Sequence, residues 1–95
     1  MSSKEAYRRK VEAQMDEWQA EIDKLVAQSK GKEADSEIQY NKWIRELKSK
    51  KAAAQSRLDN VNKASTDAWE DLKDGVQKAT NDLSDAIKSA KKHFS

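Results

Sequence analysis

Apolar side chains three or four residues apart run almost the whole length of this chain, and that spacing constrains its fold more than any other feature. Val11, Met15, Trp18, Ile22 and Leu25 begin the stripe. Tyr40, Ile44, Leu47, Ala54, Leu58 and Val61 continue it, and Leu72, Val76, Ala79, Leu83, Ile87, Ala90 and Phe94 complete it. An α-helix turns once in 3.6 residues, so these positions share one face, whereas a half-buried strand would alternate with period two. Nothing here alternates in that way. Proline is absent and there are two glycines, so little breaks a helix.

Two places punctuate the stripe. At Ser29-Lys30-Gly31-Lys32, Gly31 is expected to take the left-handed conformation that ends a helix. Within Asn60 to Asp67, Ser65 or Thr66 is expected to cap a new helix whose first turn carries Asp67, Glu70 and Asp71. Cutting at both leaves one domain, residues 1–95, of three helices near 4–30, 32–63 and 66–93. Each is ~42 Å long at 1.5 Å rise per residue. Such matched lengths suit an all-α bundle of three antiparallel amphipathic helices.

Folding back across the second break pairs Leu58 with Leu72, Ala54 with Val76, Leu47 with Leu83 and Ile44 with Ile87. Across the first, Trp18 falls beside Trp43 and Ile44, Ile22 beside Tyr40, and Met15 beside Leu47. The rival architecture is an extended or oligomeric coiled coil in which Gly31 stays helical, at a cost of about 1 kcal/mol. Lys51, on the stripe between Leu47 and Ala54, could fix register or oligomeric state there.

The composition narrows function chiefly by elimination. Charged residues form 38% of the chain yet leave a net charge of only +2, so neither strong nucleic-acid steering nor an acidic tail is expected. Arg8-Arg9-Lys10, Lys48-Lys50-Lys51 and Lys88-Lys91-Lys92 are basic clusters, the first two interleaved with or followed by acids, which makes nucleic acid an unfavoured partner. No cysteine, no secretory signal and no apolar span are visible, which points to a soluble protein of the cytoplasm. Glu46–Lys50, Asp59–Lys63 and Asp74–Lys78 are acid-before-base pairs one turn apart, of the kind that stabilises exposed helix.

No constellation of catalytic residues emerges. His93 is the sole imidazole and stands two residues from the end, without a Ser/Asp arrangement around it. Asp67, Glu70, Asp71 and Asp74 could attract a divalent cation, but the Glu-x-x-His pairs of di-iron bundles are missing and the carboxylates suit a helix N-terminus. Ser89-Ala-Lys-Lys92 matches Ser-x-x-Lys without its companion motifs, and no phosphate-cradling glycine loop occurs. The expectation is therefore no enzyme, no cofactor and no metal site.

Trp18, Trp43 and Trp69 supply bulk to a core short of large residues, and Trp43, on the flank of the stripe, is the aromatic best placed to face a partner. The segment Asp67-Ala-Trp-Glu-Asp-Leu-Lys-Asp-Gly-Val-Gln-Lys-Ala79, with the opening Tyr7 to Leu25, resembles a family of small bacterial coiled-coil proteins of unassigned function. That resemblance implies an all-helical bacterial protein and carries no catalytic residues with it. A fainter likeness to apolipoprotein-type amphipathic helices follows from shared composition.

The reading is a helical interaction or structural protein that associates with itself or a helical partner through an apolar seam. The seam comprises Trp18, Ile22, Tyr40, Trp43, Ile44, Leu47, Trp69, Leu72, Val76, Leu83 and Ile87. The alternative is a protein that lays its amphipathic helices on an anionic membrane surface or on unfolding clients. A mean hydropathy of −1.11 weighs against that alternative.

Overall fold

The computed structural model describes residues 3–31, 33–65 and 67–94. Three helices account for nearly all of them: α1 (Ser3–Ser29), α2 (Ala34–Lys63) and α3 (Trp69–Phe94). They fold back on one another up, down and up, as their matched lengths require, into a bundle of 51 × 19 × 18 Å. A 30-residue helix is ~45 Å long, so the bundle is one helix tall. The chain is a three-helix all-α bundle, not a rod.

The stripe lies inside. Val11, Met15, Ile22 and Leu25 of α1 meet Ile44, Leu47, Ala54, Leu58 and Val61 of α2 and Val76, Leu83, Ile87, Ala90 and Phe94 of α3 in one buried cluster. Ser29 and Thr80 are the buried polar side chains of the described residues, and each turns its hydroxyl onto its own helix. Ser29 Oγ donates to the Val26 carbonyl at 2.7 Å and Thr80 Oγ1 to that of Gln77 at 3.0 Å. Neither burial leaves a polar atom unsatisfied. Lys51, on the stripe, is half-buried: a lysine stem can line a core while its ammonium reaches water.

The breaks fall where expected but are built differently. Gly31 does not adopt a positive φ. Helix α1 stops at Ser29, and the Gly31 N–H closes a tight turn onto the Gln28 carbonyl at 3.4 Å. Helix α2 starts at Ala34 rather than near 32, with Glu33 extended before it and the first helical bond running from the Glu37 N–H to the Glu33 carbonyl at 2.8 Å. Lys32 and Thr66 lie outside the described residues. At the second break Ser65 does serve as a cap: its Oγ accepts from the Ala68 N–H at 3.3 Å, and its carbonyl receives the N–H groups of Ala68 and Trp69. Asp67 and Ala68 form a turn, so α3 begins three residues later than expected.

Two side-chain contacts join α2 to α3 at different levels. A Cβ built on Gly75 would meet Arg57 Cδ at 3.7 Å, and the Tyr40 and Phe94 rings stack at 4.1 Å. Leu72 lines a shallow hollow with Arg57 and Asn60. The expected pairs Glu46–Lys50, Asp59–Lys63 and Asp74–Lys78 do not close. Ion pairs form instead between Arg8 and Glu12 at 3.2 Å and between Lys91 and Glu21 at 2.8 Å, the latter tying α3 to α1. An exposed pair of long side chains gains too little to hold one geometry.

Candidate interaction surface

Two aromatic clusters close the two ends of the bundle. Where α1 and α3 begin, Tyr7 packs on Trp69 with ring centroids 5.7 Å apart, and Lys73 Nζ lies 5.3 Å from the Tyr7 ring and 5.1 Å from that of Trp69. Burial pushes the Tyr7 phenol above its ordinary 10.0, and the Asp74 carboxylate adds to the rise. Beside them Lys4 Nζ donates to the Ala64 carbonyl at 2.7 Å, placing a cation at the C-terminal end of α2, where the helix dipole favours it. This end is a structural clasp.

The other end is more open. Tyr40 stacks on Phe94, Trp43 tilts against both, and the His93 imidazole lies nearly parallel to the Trp43 indole at 4.4 Å. His93 is exposed while Phe94 is buried, so the last turn of α3 presents one ring to water and one to the core. Nearby, the hydrogen bond from Lys91 holds the Glu21 carboxyl below the usual 4.5, and the charges of Lys91 and Lys24 act in the same direction against desolvation.

From this aromatic end a groove follows the outer seam between α2 and α3. One part of it, an open hollow of about 370 Å³, lies among Trp43, Glu46, Lys50, Asp82, Ala86 and His93. It continues over Ala53, Arg57, Gly75 and Ala79 and ends at Asn60 and Leu72. Gly75, Ala79 and Ala86 recur on the α3 flank and Ala53 on the α2 flank, so small side chains lie between charged walls along its length. Such a trough accepts an elongated, ridged object. Among the described residues no group of three or more His, Asp or Glu converges as metal ligands, and no helix is long and apolar enough to cross a membrane.

The residues singled out from the sequence divide between core and surface. Ile22, Ile44, Leu47, Trp69, Val76, Leu83 and Ile87 are buried, and Trp18, Tyr40 and Trp43 are half-buried against the core. Leu72, expected in the seam opposite Leu58, is instead 37% exposed, beside Asn60 and Arg57 where the groove ends. Trp69, one turn earlier, is 4% exposed and fills that end with Tyr7. Trp43, expected to face a partner, has part of its surface taken by His93 and Phe94. Sequence reasoning missed Tyr7 and the His93 stack; Ile38, on the flank of the apolar face near the start of α2, is 61% exposed. Spacing could have found Tyr7, which stands one turn before Val11 on the same face; it gave no signal for the His93 stack, which depends on which helix ends meet.

Compared with known protein families, curated proteins and solved structures, the chain matches none.

Proposed function

We propose that this chain is a non-enzymatic interaction or structural protein that works by helix-on-helix association, with itself or with another helical protein. The observation that carries the reading is the α2–α3 groove. It is long, open and small-floored, with an indole–imidazole wall at one end and Leu72 at the other. A helix in that trough would set its side chains between the charged walls and its backbone close to Gly75 and Ala79. The apolar seam is already covered by the chain's own helices, so a docked helix would add to the bundle rather than replace part of it. The likeness of Tyr7 to Leu25 and of Asp67 to Ala79 to small bacterial coiled-coil proteins supports the same reading, and a bacterial, cytoplasmic setting belongs to it.

A photoreactive phenylalanine analogue at Ser89, exposed on the groove wall, tests the proposal. Irradiation in a lysate should give adducts with a helical protein identified by mass spectrometry, or with a second copy. Recovery of the 10.8 kDa chain alone would overturn it.

A second reading has one observation in its favour. Helix α3 carries Val76, Leu83, Ile87 and Phe94 on one buried face and Lys91 and Lys92 in its last turn, as a helix that lies on anionic lipid would. It requires the bundle to open and uncover residues now sealed from water. Anionic vesicles that leave both helicity and tryptophan emission unchanged would exclude it.

A further inference from the structure

Opposite charges line the two sides of the α1–α2 face. On α2 the flank toward α3 is marked by Trp43, Glu46, Lys50, Ala53 and Arg57, which line the groove. Helical geometry therefore puts Arg45, Lys48 and Ala52 on the flank toward α1. On α1, Tyr7 against Trp69 and Glu21 against Lys91 mark the flank toward α3, which leaves Asp16 and Asp23 toward α2, with Glu12 there already paired to Arg8.

These residues belong to larger blocks of charge. Residues 12–23 contain five acids and no base, and residues 42–57 contain six bases and one acid, although Glu21 turns toward α3 and Glu46, Lys50 and Arg57 line the groove on the other flank. Lys4 against Ala64 fixes the level of α1 on α2 at one end of the bundle. At the other end, Glu21 beside Lys91 and Tyr40 beside Phe94 fix it again. Between these anchors the acidic block runs level with the basic one. Among the described residues none of the six bases closes an ion pair, and neither do Asp16 and Asp23.

We propose that this face is the interface of a homodimer. A two-fold axis parallel to the helices would lay the acidic α1 of each copy on the basic α2 of the other, so that every attractive contact occurs twice. The exposed Ala13 and Ala20 on α1 and Ala52 on α2 let the two backbones approach. The long side of the bundle, 51 Å by 19 Å, is comparable to the ~800 Å² per partner of a standard interface. A nucleic acid or an anionic membrane would attract α2 but meet the acidic strip beside it. A second copy presents both signs at the matching spacing. This goes beyond association through the groove and uses a different face.

The test is sedimentation velocity on the full chain in low and high salt. The association constant should fall at least about tenfold between roughly 20 mM and 500 mM NaCl, because rim charges are screened beyond a Debye length. Arg45→Glu with Lys48→Glu, and separately Asp16→Lys with Asp23→Lys, should each give a monomer at low salt. An equimolar mixture of the two variants should dimerise again, since each then offers what the other lacks. A wild type that is monomeric at both salts overturns the proposal, as does a dimer that survives both reversals. Where circular dichroism shows a reversed variant unfolded, Arg45→Gln with Lys48→Gln and Asp16→Asn with Asp23→Asn replace the pair, each expected to weaken the dimer. A dimer lost on Ala53→Arg but kept in the charge variants would move self-association to the groove, so this inference would fall while the groove reading stood.

Discussion

Leu83 and Leu72 sit three turns apart on α3, the first sealed from water and the second 37% exposed. Truncating Leu83 to alanine leaves a cavity in the core and should cost about 2–5 kcal/mol in urea denaturation. Leu72→Ala should cost less, about 1–2 kcal/mol, because more than a third of that residue's surface stays in water. Their spacing on the stripe is equivalent, so sequence reasoning treats them alike. What separates them is place in the fold: Leu83 faces the core, whereas Leu72 lies at the open end of the groove beside Asn60. Two titrating groups make further residue-level predictions. Folding favours the neutral Tyr7 phenol, so its contribution is complete below 10.0 and is lost as pH rises through the higher folded value. Tyr7→Phe should flatten the stability profile above pH 10.0. For Glu21 the sign reverses: folding favours the carboxylate, so its contribution is present above 4.5 and is lost as pH falls through the lower folded value. Glu21→Gln should remove that part of the acid sensitivity, read from thermal melts between pH 3 and 5.

At the scale of the elements, number, order and approximate limits of the helices were legible because each depends on local spacing and on residues that cap or interrupt. The chemistry of the breaks was less legible. A glycine after a helix suggests the left-handed conformation, but a chain with several residues in which to turn can close with an ordinary tight turn. Gly31→Ala separates the two cases. Its φ is not positive and the nearest atom to an added Cβ is the Gln28 carbonyl oxygen at 4.0 Å, so alanine should stabilise the protein by about 0.4–1 kcal/mol. A left-handed Gly31 would make the same change destabilising. Gly75→Ala is expected to stabilise α3 by a similar amount through helix propensity, since its nearest neighbour, Arg57 Cδ at 3.7 Å, is at ordinary contact distance. Thermal denaturation reads both, at roughly 4–8 °C per kcal/mol for a domain of this size.

For the molecule as a whole, the apolar stripe is spent on the fold, and what remains for recognition is charge and groove. Spacing announced the first but not the second, because a groove exists only once two particular flanks are side by side. The same holds for the opposed charge blocks of α1 and α2, which read in sequence as ordinary solvated helix. Whichever partner covers these surfaces, the account rests on three helices shielding one another. Small-angle X-ray scattering at high salt, where the proposed dimer is dissociated, tests that most directly. The account predicts a particle of ~11 kDa with a maximum dimension close to the 51 Å Cα extent plus its side chains, and a radius of gyration near the Cα value of 15.4 Å. A rod approaching ~140 Å, the length of 95 residues at helical rise, would contradict it.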